Sequence, residues 1–240
     1  QLETLYSRNS QAIQNEQIEE ILSGDPALMI INPVDRLGAH AIVNRLQAAD
    51  VPIIFFNREP LEEDISLWEN AWYVGARAEQ SGLMQAELAM DLFGPDPRNL
   101  GSQDRNGDNR IQTVILKGEQ GHQDAEIRTA TVQAAFREQG YVLDVLAVEV
   151  ANWNRNEAYE KTGDLLELLE EPPELILSNN DAMALGAIAI MRQSGFFQDA
   201  NDDGHVDRGD ADWIPVLGID GVPDAVEQIN RGYLYGTVIN

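Results

Sequence analysis

Seven polar side chains stand just past the ends of apolar runs, where a parallel α/β sheet presents its ligand-binding edge. Asn57 follows IIFF, and His122, Asp124 and Arg128 follow VILKGEQG. Asn180 follows LILSN, Asp220 closes VLGID and Asn240 closes GTVIN. The set holds acceptors, donors and mixed amides, but no nucleophile paired with a base. A carboxylate accepts hydrogen bonds from two neighbouring hydroxyls, an Asn amide both donates and accepts, and Arg128 donates in a fixed fork. Asp124 and Arg128 stand at i and i+4, on one helix face. Together these groups suit holding a polyhydroxylated molecule rather than breaking one. Taken singly, each has a plainer reading. Asp124 with Arg128 is also an ordinary surface pair, Asn180 and Asp181 cap the helix that follows, and Asp220 is a strand-end turn residue.

Two acidic loops are a second candidate chemistry. DRNGDNRIQ spaces Asp104, Asn106, Asp108 and Gln112 at positions 1, 3, 5 and 9 of a calcium loop, with the Arg110 carbonyl at position 7. It is not an EF-hand, because position 6 is Asn109 and position 12 is Ile115; an Asx-turn loop is the alternative. In DANDDGHVDRGD, Asp199, Asn201, Asp203, Gly204, Asp207 and Asp210 fit EF-hand positions 1, 3, 5, 6, 9 and 12. His205 offers a carbonyl there and Val206 fits the apolar position 8. Asp at position 12 is shorter than the usual Glu, so metal and a solvated acidic insertion both stay open. Neither loop reads as catalytic.

The elements that must position these groups alternate along the chain. LETLYS reads as a short strand, AIQNEQIEEILSG as a helix, ALMIIN as a strand, LGAHAIVNRLQAAD as a helix and VPIIFFN as a strand. Residues 59–73 read as an irregular crossing between lobes. Then come a helix ending at Gly94, strand IQTVILK, helix DAEIRTATVQAAFREQG, strand YVLDVLAVEV and helix NEAYEKTGDLLELLEE. ELILSNN, DAMALGAIAIMRQSG, IPVLGID, PDAVEQINRG and YLYGTVIN continue the same alternation. Continuous Val/Ile/Leu strands between amphipathic helices predict an α/β protein, each lobe a doubly wound parallel sheet. The lobes are placed at 1–72 and 73–240. The first counts only three strands, so it is expected to be incomplete, lacking an N-terminal strand and helix and a portion after Asn240.

Of 240 residues, 41 are acidic and 16 basic, a net charge of −25 that repels nucleic acid and anionic membrane surfaces and favours divalent cations. Zero cysteines exclude disulfides, zinc thiolates and cysteine catalysis. No apolar run reaches the ~20 residues that span a bilayer.

The runs NEQIEEIL, VPIIFFNREP, LKGEQGHQDAEIRT, SNNDAMALGA, GIDGVPDA and GTVIN resemble the periplasmic galactose/glucose-binding members of the type I periplasmic sugar-binding protein family. The resemblance implies a two-lobe periplasmic-binding-protein type I fold. It also implies that Asn57, His122, Asp124, Arg128, Asn180, Asp220 and Asn240 bind sugar hydroxyls, and that Trp153 in ANWN stacks on one pyranose face. An indole covers that C–H face with large buried area. The resemblance further implies that Glu174, in PPELIL, completes the calcium shell begun at Asp104. The expected protein is a monomeric, non-enzymatic receptor, periplasmic or extracellular, and lipid-anchored in a Gram-positive source. It captures D-galactose or D-glucose between the lobes by hinge closure and serves an ABC permease, with a chemoreceptor as second partner. Two other readings are weighed. A sugar-effector-binding repressor core shares the fold, but acidity and a calcium loop favour export. A glycosidase using Asp124 and Asp220 needs one raised carboxyl pKa, and ranks last.

Overall fold

A computed structural model describes residues 2–199, 204–208 and 212–240, so Asn201, Asp203 and Asp210 of the second acidic loop lie outside the described residues. The chain forms two compact units, Gln1–Ala76 and Arg77–Asn240.

In the first unit, strands β1 (Met29–Ile31), β2 (Ile53–Phe56) and β3 (Ala71–Val74) pair in parallel in that order. Helices α1 (Gln11–Leu22) and α2 (Ala39–Ala48) carry Ile18, Ile42, Val43 and Leu46 onto one face of this sheet, against Met29, Ile31, Ile53, Phe55 and Ala71. Strand residues alternate between faces, so Ile30, Phe56, Trp72 and Val74 point the other way, and all four are exposed. The first unit is a parallel sheet with one bare apolar face.

Three expectations are corrected here. LETLYS is not a strand: residues 2–7 take no regular structure, with Leu2 87% and Tyr6 79% exposed. Alternation alone makes no strand where no neighbour completes a ladder. The third strand comes instead from the stretch read as a crossing, where the short helix α3 (Glu62–Ile65) leads into β3. Because β3 pairs with β2, the division between units falls after Ala76, not after Trp72.

In the second unit, α4 (Ala78–Phe93) ends at Gly94, whose φ of +83° suits glycine. Strand β4 (Ile111–Lys117), helix α5 (Gln123–Glu138), strand β5 (Leu143–Val150), helix α6 (Arg155–Leu168) and strand β6 (Leu175–Ser178) follow. Helix α7 (Asp181–Gln193), strand β7 (Val216–Asp220), helix α8 (Pro223–Asn230) and strand β8 (Gly236–Ile239) complete it. All pairings are parallel, in the order β5-β4-β6-β7-β8. Counted within the unit this is the doubly wound order 2-1-3-4-5. Alternation here feeds two cores. Ile111, Ile115, Leu175, Leu177 and Leu217 face Ala86, Phe93, Val132 and Phe136 on α4 and α5. Val114, Leu116, Ile176 and Val216 face Ala158, Met183, Ala187, Ile188 and Met191 on α6 and α7.

Candidate functional site

Strand order reverses between β4 and β6, and ligands of such sheets bind beyond the strand ends at that switch point. The expected residues of the second unit gather there. The chain leaves β4 through Gly118 and enters α5 at His122, whose Nδ1 caps the helix by accepting from the Asp124 N–H at 3.2 Å. With Nδ1 accepting, the ring's proton sits on Nε2. Glu126, one turn in, accepts from Lys117 Nζ at 2.7 Å and from the Gly121 N–H at 2.9 Å, which fixes the loop before His122. Lys117 beside it holds the Glu126 carboxyl below its ordinary range.

Arg128 is 3% exposed. Its Nη1 donates to the Asn179 carbonyl at 2.7 Å and lies 3.9 Å from Asp220 Oδ1, while Nη2 meets Asp124 Oδ2 at 3.3 Å. Its buried Nε has no hydrogen-bond partner. Asn179, which the sequence reading passed over, ties the switch point together. Its Oδ1 accepts from the Gly118 N–H at 3.1 Å and from Thr129 Oγ1 at 3.2 Å.

Trp153 stands over Gly118: a Cβ built there would lie 2.3 Å from the indole. Asn152 and Trp153 take φ of +49° and +62°, conformations that cost a bulky residue about 1–3 kcal/mol. The surroundings hold them. Asn152 Nδ2 donates to Glu157 Oε2 at 2.7 Å, and Asn154 caps α6 by accepting from the Asn156 and Glu157 N–H groups. The His122 ring meets the indole edge-on at 5.2 Å, and the Arg128 guanidinium lies 5.8 Å from its centroid.

Asn180 is the cap of α7, its Oδ1 accepting from the Met183 N–H at 3.0 Å. Of the two residues expected to cap this helix it is Asn180 that does so, and its extended backbone (φ −152°) suits an N-cap. Asn180 Nδ2 keeps a long bond to the Trp153 carbonyl at 3.4 Å. Asp220 closes β7 with φ +124°. Burial pushes its carboxyl above the ordinary range against the pull of Arg128, with Asp181 and Asp124 adding repulsion and the Asn240 side chain donating to it. Asn240 Oδ1 in turn accepts from Ser81 Oγ at 2.9 Å. Asn57 belongs to the first unit, at the end of β2 with φ +61°, its carbonyl accepting from the Tyr73 hydroxyl at 3.1 Å.

The Asp104 loop is folded on its own acids. Asp104 accepts from the Gly107 and Asn109 N–H groups at 2.8 Å, Asn106 from Asp108, and Asp108 from the Arg110 N–H and Gln112 Nε2. Glu174, 3% exposed, accepts from the Arg105 N–H at 2.5 Å and from the Gln112 N–H at 3.3 Å, and burial raises its pKa. Among the described residues no three His, Cys, Asp or Glu side chains gather as a metal cage. The oxygen-only donor set of Asp104, Asn106, Asp108, the Arg110 carbonyl, Gln112 and Glu174 nonetheless fits the mixture calcium takes, and Gln112 Oε1 is buried with no partner. In the second loop Asp199 Oδ2 accepts from the Gly204 N–H at 2.7 Å, and Val206 is fully buried. His205 and Asp207 are both exposed.

Residues 2–240 match the periplasmic binding protein domain family. A D-galactose/methyl-galactoside binding periplasmic protein of Haemophilus influenzae is 34% identical over 235 residues, 98% of this chain and 65% of that protein. The chain thus spans about two thirds of that relative's length. An ABC transporter solute binding protein of Bacillus halodurans, solved with bound myo-inositol, superposes with a TM-score of 0.75 at 28% identity, over 95% of this chain and 68% of that one. One from Actinobacillus succinogenes with bound D-allose shares the fold at 20% identity and TM-score 0.75, over 97% of this chain and 71% of that one. Among the described residues no helix is long and apolar enough to cross a membrane.

Proposed function

The chain belongs to the periplasmic binding protein domain family, and from that membership we propose that it is the sugar-recognising part of a non-enzymatic solute receptor. The observation that carries this reading is the assembly at the β4/β6 switch point. A buried guanidinium with an unpartnered Nε stands beside two carboxylates, two side-chain amides and an indole clamped in place by its backbone. The indole offers an apolar plane for ring C–H groups, and the charged groups supply strengthened hydrogen bonds to hydroxyls. D-Galactose and D-glucose are the ligands proposed. The relative from Haemophilus supports galactose. The receptor works outside the cytoplasm and hands its ligand to an ABC permease, with a chemoreceptor as further partner.

Calorimetric titration of the intact protein against D-galactose, D-glucose, D-allose and myo-inositol tests this. Tight binding of one hexose without turnover is the expected result. Arg128→Met and Gly118→Ala, which would drive a methyl into the indole, should each weaken it about a hundredfold. Absence of heat with every sugar, or turnover of an aryl galactoside, would sink the reading.

We also propose one calcium ion at Asp104, Asn106, Asp108, Arg110, Gln112 and Glu174. The buried, partnerless Gln112 Oε1 and the buried Glu174 carboxyl support it. When bound, the ion would tie the loop to the strand start at Leu175, a structural role with no part in ligand chemistry. A melting temperature indifferent to added chelator would count against it.

A further inference from the structure

We propose that Asp181 is the positioning residue that aims the Asp220 carboxylate. The inference deepens the sugar-binding reading and rests on it for its affinity readout.

Asp181 is 0% exposed, so it presents no oxygen to a ligand. Among the described residues no cation pairs with it, and a buried carboxylate without a cation is costly unless hydrogen bonds replace its hydration. Those bonds all come from the turn after Asp220 and from the next strand. Oδ2 accepts from the Val222 N–H at 2.9 Å, Oδ1 accepts from Thr237 Oγ1 at 2.6 Å, and the Gly221 N–H also bonds to the carboxylate. Thr237 Oγ1 lies 3.2 Å from that same Gly221 nitrogen, which closes a ring of bonds around the turn.

Asp220 sits immediately before this ring with φ +124°, where L side chains rarely rest. Such a conformation persists only when the surroundings over-determine it. The Asp181 carboxylate supplies that constraint: it grips the two N–H groups that follow Asp220 and anchors them to β8. On the other side, Gly218 leaves it room, since a Cβ there would lie 2.0 Å from Asp181 Oδ1. One buried carboxylate thus joins the end of β6 and the turn after β7 to the body of β8. The side chain whose direction it sets is the one facing Arg128, Asp124 and Asn240.

The decisive experiment is a double-mutant cycle in the intact protein, with D-galactose and D-glucose as probes. Asp181→Asn keeps the volume but replaces one accepting oxygen with an amide that donates. It should weaken binding about tenfold, and Thr237→Val about threefold. Asp181→Asn should have no further effect once Asp220 is already Asn, because what it disturbs is then absent. A ligand-free readout runs in parallel: the Asp220 carboxyl midpoint, followed by carbon NMR, should move down in Asp181→Asn as a neighbouring negative charge and its turn are released. Equal loss of affinity in both backgrounds, or an unmoved Asp220 midpoint accompanied only by a lower melting temperature, would reduce Asp181 to scaffold. If the wild-type protein binds neither sugar, the sugar reading fails, and the Asp220 midpoint alone decides the positioning claim.

Discussion

The two units use the same alternation of strand and helix but finish it differently. The five-stranded sheet of Arg77–Asn240 is sandwiched, with α4 and α5 on one face and α6 and α7 on the other. The three-stranded sheet of Gln1–Ala76 is covered on one face only, leaving Ile30, Phe56, Trp72 and Val74 exposed. A parallel sheet needs both faces buried to stand alone. The difference lies in burial: the second unit covers both faces of its sheet and holds the assembly around Arg128, while the first leaves one apolar face bare.

The sharpest way to break that comparison is to separate the units. Residues 77–240 expressed alone should fold cooperatively, with native-like amide dispersion and a sigmoidal melt, whereas residues 1–76 should remain largely unstructured by circular dichroism. A folded first unit would refute the contrast outright. Next in size are side-chain truncations. Phe136→Ala in the second unit and Phe55→Ala in the first, both fully buried, should each cost about 3–5 kcal/mol in urea denaturation. Trp72→Gln on the bare face should cost less than about 0.5 kcal/mol. A large loss at Trp72 would mean that face is covered in solution.

Smaller than the two core truncations is the calcium effect, which should be confined to the second unit. Saturating calcium should stabilise it by about 2–3 kcal/mol, and Glu174→Gln should abolish the increment. The smallest effect is on pH. Burial raises the Glu174 carboxyl above its ordinary 4.5, so the folded state holds that proton more tightly than the unfolded chain. Its stabilisation is present below the unfolded value and is lost as pH rises through the folded one. Calcium-free wild type should therefore lose stability from about pH 4.5 towards neutral, and Glu174→Gln should flatten that slope. An unchanged slope would remove Glu174 from the account.

Much of this was legible in the residues. The continuous apolar strands of the second unit and the helices from Ala78 onward announced a parallel sheet, and that unit's own strand-end residues lie around its switch point, whereas Asn57 ends β2 in the first unit. What stayed hidden depends on distant partners. LETLYS alternates like a strand yet has no neighbour to pair with, while the AWYV strand lay in a stretch that looked irregular because it is short and half exposed. Asn180 and Asp181 are adjacent and both can cap. Only the reach of Asp181 to Val222 and Thr237, residues far along the chain, decides which one does. Asn179 and Gln85 were silent for the same reason. Gln85 Nε2 is buried and donates to the Ser178 carbonyl at 2.8 Å, a contact no local pattern encodes.

The clamped indole of Trp153 has an optical consequence. Of the chain's 4 tryptophans, Trp213 is sealed in the core with its N–H on the Gly232 carbonyl, and Trp68 and Trp72 belong to the first unit. Among the described residues, Trp153 is the indole found beside both an imidazole and a guanidinium, groups that alter indole emission when a guest rearranges them. The molecule therefore carries its own fluorophore at the place where recognition is proposed. If that reading holds, occupancy should register as a change in colour and intensity, with no dye attached and no second protein needed.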